Sequence, residues 1–354
     1  MVVGGESGWG GAVEVGCDES GSDGENLLGG NTDVFAHASV RLTTEDAAAC
    51  VQEARDRIRS PAEEYKANHL LREKHRAVLE WLLSPAGPLH GRAHVHLTDK
   101  AFLVVERTVG LLLGDDPSAA AHPAPAAAPI PGAALVLFRD GPRALGPQRW
   151  RGFLEAANRL LRVRVNGVPA PAGEAADRTD AFFRLVGEAR ALARAGTGLA
   201  EVLTRIGSAR ERWEATRVRL LAAPVPMPVL NPLFPAILRT AAHWGAGGRA
   251  VSLVHDRQNM LTPDRIAWIE ESARREGIAL AGFRLVHSRL DARVQVADFL
   301  AGIARSIASD ALAGRGDPAR TTLLRPYVGG SSLWADAPSW SRLGPPTDLT
   351  GHVA

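Results

Sequence analysis

Four acidic residues stand where an α/β protein could use them together. Asp18 and Glu19 follow a short strand pattern, Val13 to Cys17, and Asp256 closes a second one, Ala250 to Asp256. Asp298 lies in a long helical pattern beginning near Ala292. Open α/β sheets keep their sites at the carboxyl ends of strands, which is where three of these acids fall. Grouped carboxylates repel one another and resist ionisation. A hard divalent cation removes that cost, and oxygen donors favour Mg²⁺ or Mn²⁺. Two such ions about 3.5–4 Å apart clamp the oxygens of an in-line phosphoryl displacement, so the chemistry expected of Asp18, Asp256 and Asp298 is metal-assisted phosphodiester hydrolysis.

Other chemical signals are weaker. His94 and His96 share one face of an alternating stretch, but a zinc site needs a third ligand that no nearby residue supplies. Ser20 follows a strand without the G-x-S-x-G turn of a hydrolase nucleophile. The glycines at 4, 5, 8, 10 and 11 lack the Lys-Ser/Thr ending of a phosphate loop.

The elements that must carry the acids can be read from periodicity. Val34 to Leu42 alternates as a half-buried strand and pairs with the first as an antiparallel ribbon. Thr43 or Thr44 caps a helix with Glu45 and Asp46 in its first turn. A second helix runs from about His69 to Leu83, residues 92–98 alternate again, and a helical pattern covers Val104 to Leu113. Ala133 to Phe138 is a continuous apolar run, read as a buried strand or an extension of the core. Thr262, Pro263 and Asp264 open a helix that Gly277 closes, followed by a strand over 278–287. In the last helix, Val296, Phe299, Leu300, Ile303 and Ile307 fall on one stripe at about 100° per residue, with Gln295, Asp298, Gly302 and Arg305 on its flank. The helix can therefore dock on a sheet while holding Asp298 at its edge. This order of elements predicts a layered α/β domain over residues 11–312. Residues 1–10 read as a loose N-terminus, 115–132 as an Ala/Pro-rich flexible linker, 147–221 as a basic helical insertion and 313–354 as an extended tail.

The net charge of +2 conceals a division along the chain. Residues 1–46 hold nine acids against Arg41 alone, whereas 149–219 hold fourteen arginines against eight acids. An acidic site beside a basic groove suits a polyanion, so nucleic acid, RNA or DNA, is the expected partner. Solvated helix faces would give the same counts. The three lysines, Lys66, Lys74 and Lys100, leave nearly all positive charge to arginine, as a GC-rich genome also would. Two cysteines make no disulfide framework, which suits a reducing compartment. No apolar run is long enough to span a bilayer, and the first residues lack a signal-peptide pattern. The expectation is a cytoplasmic protein with no membrane partner.

The segments Cys17-Asp18-Glu19-Ser20-Gly21, Val254-His255-Asp256, and Ser288 followed by Gln295-Val296-Ala297-Asp298 resemble the signature of the domain-of-unknown-function 3800 family. The likeness extends over about residues 12–308, interrupted by the linker and the basic helices. It implies a ribonuclease-H-like fold, a mixed sheet flanked by helices, and nuclease-type chemistry. It also implies that Asp18, Asp256 and Asp298 hold metal and that Glu19 joins them in catalysis. Supporting roles fall by the same likeness to Ser20, Glu64, Lys66, Asp99, Ser288 and Gln295. Arg257 stands where relatives often carry Glu, which alters the shell around Asp256. The competing expectation is a non-catalytic subunit of the same fold that binds nucleic acid or a protein partner, since fold does not entail activity.

Overall fold

A computed structural model describes residues 11–59, 66–114, 132–165, 167–225, 227–334 and 337–345. The elements run β1 (Val13–Ser20), β2 (Val34–Val40), α1 (Thr44–Ile58), α2 (Ala67–Leu70), α3 (Arg76–Leu83), β3 (Ala93–Asp99), α4 (Lys100–Leu113), α5 (Gly132–Leu145) and α6 (Pro147–Leu161). A two-residue hairpin, β4 (Arg164–Val165) and β5 (Val168–Pro169), leads into α7 (Ala172–Leu192), α8 (Gly198–Gly207), α9 (Arg210–Ala222) and α10 (Leu233–Trp244). The chain continues through β6 (Val251–Asp256), α11 (Pro263–Arg275), β7 (Leu280–Val286), α12 (Ala292–Leu312), α13 (Pro318–Leu324) and α14 (Ala337–Leu343).

The protein is α/β, with a mixed five-stranded sheet in the order β3-β2-β1-β6-β7. β1, β6 and β7 run parallel, with Cys17 opposite His255 and Asp256 opposite Val286. Backbone bonds from Arg41 N to Arg92 O (2.8 Å) and from Lys100 N to Asp33 O (3.0 Å) mark opposite ends of an antiparallel β2–β3 pair. A Cβ on Gly21, which has φ +86°, would come within 2.4 Å of Val34 O. The end of β1 thus meets the start of β2, as an antiparallel ribbon requires. β2 and β3 are buried along their whole length, not half-buried as their alternation suggested. Leu333 adds a further rung beside β3, its N–H donating to Leu97 O at 2.8 Å and its carbonyl accepting from Asp99 N at 3.0 Å.

Local chemistry accounts for most element ends. Thr43 caps α1, its hydroxyl accepting from Asp46 N at 3.0 Å. Pro263 sits in the first turn of α11, and Gly277 follows it at φ +70°. The expected stripe of α12 is fully buried, with Val296, Phe299, Leu300, Ile303 and Ile307 all at most 4% exposed. Its first turn lies so close to β1 that a Cβ on Gly16 would meet Arg293 Cβ at 2.6 Å, so only glycine fits there.

Two expectations read differently in the structure. Ala133 to Phe138 belongs to helix α5; an unbroken apolar run does not distinguish helix from strand, and the helix continues past it to Leu145. Residues 313–345, read as an extended tail, contain α13 and α14, with the carboxylate of Asp317 capping α13 through Ala319 N. By its contacts the chain divides into two compact units. The first comprises the chain up to Glu19, His37–Val95 and Ala236–Ile303; the second comprises Ser20–Ala36, His96–Pro235 and Ala304–Ala354. The expected loose start 1–10 and linker 115–131 lie outside the described residues. Among the described residues, no helix is long and apolar enough to cross a membrane.

Candidate functional site

The carboxyl ends of β1 and β6 gather the acids of the first unit. Asp18 is 7% exposed, and its Oδ1 accepts from Glu19 N at 2.8 Å. Burial holds its carboxyl well above the usual carboxylate range, and the charges of Glu19, Asp298 and Asp256 push it the same way. Glu19 is likewise raised by burial, with His255 opposing and Asp256 adding to the shift. Asp256 Oδ1 accepts the backbone N–H of Ser288 at 2.9 Å, so Ser288 orients that acid through its main chain. Asp298 projects half-buried from α12, and the Lys66 ammonium stands 3.3 Å from its Oδ2.

Behind Glu19 lies a buried polar chain that the sequence did not reveal. Glu19 Oε1 accepts from Gln258 Nε2 at 2.8 Å, and its Oε2 has His255 Nε2 at 3.6 Å. His255 Nδ1 faces the Asp256 carbonyl at 2.9 Å and must donate to it. His255 Nε2 and His37 Nε2 face each other at 3.2 Å, so a hydrogen bond there needs a proton on one and a lone pair on the other, and His37 Nδ1 lies 2.9 Å from the Thr240 hydroxyl. His37, Thr240 and His255 are each 0% exposed. The available signal was His255 itself, directly before Asp256 on a strand buried on both faces.

The remaining named residues divide by role. Ser20 Oγ accepts from Arg305 Nε at 3.0 Å in the second unit. Asp99 is buried and caps α4 by accepting from Ala101 N (2.9 Å) and Phe102 N (3.1 Å), which is a folding role. Gln295 is half-buried in the first turn of α12. Glu64 lies outside the described residues. His94 stacks on His243, with ring centroids 3.9 Å apart, and His96 Nδ1 faces Ser331 Oγ at 3.4 Å, so the two share no common ligand position. Both cysteines are buried free thiols; burial pushes Cys50 up to about 12 and Cys17 higher still, which removes thiolate chemistry.

A hard divalent cation suits the chemistry of these donors. Asp18, Glu19, Asp256 and Asp298 offer only oxygen, and a cation would offset the cost that burial imposes on Asp18. Their arrangement is less complete. Among the described residues, no group of three or more His, Cys, Asp or Glu side chains is placed to hold a metal ion, and Lys66 takes the position of a counter-charge at Asp298.

In the basic stretch, many arginines are already paired. Arg151, Arg178, Arg184, Arg210 and Arg217 pair with Glu155, Glu174, Glu188, Asp180 and Glu214. Arg149, Arg190, Arg194 and Arg205 are exposed and make no ion pair among the described residues.

Compared with known proteins, the chain matches no family, no curated protein and no solved structure.

Proposed function

We propose that this chain is a metal-dependent phosphodiesterase of nuclease type on a ribonuclease-H-like fold, a member of the family its Asp-Glu-Ser-Gly and Gln-x-Ala-Asp segments resemble. The observation that carries the reading is a buried Asp18 at the carboxyl end of β1, next to Glu19 and beside the strand that ends in Asp256. The strand order β3-β2-β1-β6-β7, with an antiparallel ribbon leading into parallel strands, supports the fold part of the proposal.

Asp18, Asp256 and Asp298 would hold Mg²⁺ or Mn²⁺, with Lys66 released from Asp298. A bound divalent ion supplies charge compensation at the phosphate and makes a coordinated water more acidic. The protein's own part is to keep the acids close and shielded from water. Gln258 fixes one oxygen of Glu19, and the other is buried beside His255. Glu19, its carboxyl raised by burial, stands beside Asp18 as a group that can take and return a proton. Arg149, Arg190, Arg194 and Arg205 would draw a nucleic-acid backbone in a salt-dependent way.

The Lys66–Asp298 pair favours a second reading, a nucleic-acid- or partner-binding subunit in which lysine stands where the cation would be. The test is cleavage of labelled single- and double-stranded RNA and DNA in Mg²⁺ and Mn²⁺. Wild type should cut one of them, and Asp298→Asn should lower the rate by orders of magnitude while remaining folded. Equal cleavage by both proteins contradicts the mechanism. Salt-sensitive binding without cleavage by either selects the binding subunit.

A further inference from the structure

A second constellation lies wholly within the second unit, around a cavity of about 440 Å³. Its wall is made by the loop before β2, the start of α4, the last turns of α12 and Arg315. Such a volume falls in the range of small-molecule sites, roughly 300–1,000 Å³. The loop is pinned from below by Lys100, which is 1% exposed, pairs with Asp23 and donates to Thr32 O at 2.9 Å. Lys100 is therefore committed to the fold, and the cavity it supports is preformed.

Arg305 is differently placed. Its Nε donates to Ser20 Oγ at 3.0 Å, which orients the guanidinium, while its two terminal nitrogens make no hydrogen bond among the described residues, although their charge is felt by Asp23. A guanidinium anchored at one nitrogen with its remaining donors free matches the geometry of phosphate or carboxylate. Arg315 adds an exposed second cation, held only by a 3.4 Å contact to Asp310. The first N–H groups of α4 are not part of this, because the Asp99 side chain and Asp33 O take those of Ala101, Phe102 and Lys100. Across the cavity, Asp33 accepts from Ser309 through one carboxylate oxygen and keeps the other for a further donor. Leu28 and Ala101 provide an apolar wall.

We propose that this cavity binds a phosphate ester of a small hydroxylated molecule, of nucleoside-monophosphate size. Arg305 and Arg315 hold the phosphate, Asp33 accepts from a hydroxyl, and Leu28 and Ala101 cover the body of the ligand. None of the carboxylates proposed for hydrolysis takes part, so the binding stands or falls separately from that activity.

The test is calorimetric titration of the full chain, without divalent metal, against four probes: a nucleoside 5′-monophosphate, its nucleoside, a pentose 5-phosphate and inorganic phosphate. The monophosphate should bind saturably, and the nucleoside at least tenfold more weakly. Loss of a charged hydrogen-bond partner is worth about 1.5–3 kcal/mol, so Arg305→Gln should weaken the monophosphate roughly 10–100-fold. Arg315→Gln, an exposed change that leaves the fold intact, should weaken it severalfold and decides the matter if Arg305→Gln does not fold. Asp33→Asn should weaken both esters and spare inorganic phosphate. No saturable binding of the monophosphate at millimolar concentration overturns the proposal. So does wild-type affinity in both arginine variants, or inorganic phosphate binding as tightly as the esters.

Discussion

The two units are built on opposite interiors. In the second, α4 to α9 enclose an apolar core in which Trp150 stacks on Phe153 at 5.5 Å and Phe153 packs on Phe182 at 5.7 Å. The buried indole N–H of Trp213 donates to Thr179 Oγ1 at 3.3 Å. In the first, the space beside β1 and β6 holds buried Asp18, His37 and His255 and half-buried Glu19. A further knot there ties Arg293 to Asp291 at 2.6 Å and to Glu14. Apolar burial contributes stability in proportion to area, at about 25 cal/mol per Å². Buried ionisable groups cost desolvation and seldom recover all of it. The helical unit therefore draws its stability from apolar burial, whereas the acids beside β1 are held at a cost in desolvation.

The comparison makes opposite predictions for a large change in each unit. Phe153→Ala removes a ring from the centre of the aromatic cluster and should cost about 3–5 kcal/mol, read by urea denaturation. A loss below about 1 kcal/mol would mean that the helical core is not the stabilising half. Asp18→Asn should act the other way. Its carboxyl is raised in the folded chain, so ionising it opposes folding at every pH above the ordinary carboxylate range. The variant should therefore melt higher than wild type at pH 8, and the gap should close as the pH is taken down toward 4. A lower melting temperature for Asp18→Asn at pH 8 without metal would show that the carboxylate is structurally required. Adding Mn²⁺ sharpens the test, since it should raise the wild type and leave the variant unmoved.

How much of this was legible depends on whether the signal was local. β6, α11, β7 and α12 could be read from capping, closing glycine and periodicity, and the stripe of α12 is buried as its spacing required. Alternation in β2 and β3 suggested one wet face, but both strands are covered on both sides, so His37 and His94 lie inside. That covering comes from distant segments, and no local pattern reports it. The helix at Ala133 to Phe138 was ambiguous because an apolar run has no period of its own. Asp18, Asp256 and Asp298 were legible as strand-end and helix-flank acids. Thr240 and Gln258 were not, because their roles arise only from the chain behind Glu19. Asp99 carried a motif match yet serves as a helix cap, a use equally ordinary for aspartate.

Whether Asp18, Asp256 and Asp298 form the proposed cation site is read by calorimetric titration of the full chain with Mn²⁺ at pH 7.5. Wild type should bind saturably, and Asp18→Asn should lose the binding. Absence of saturable binding by wild type at millimolar Mn²⁺, or unchanged binding by Asp18→Asn, would contradict the account.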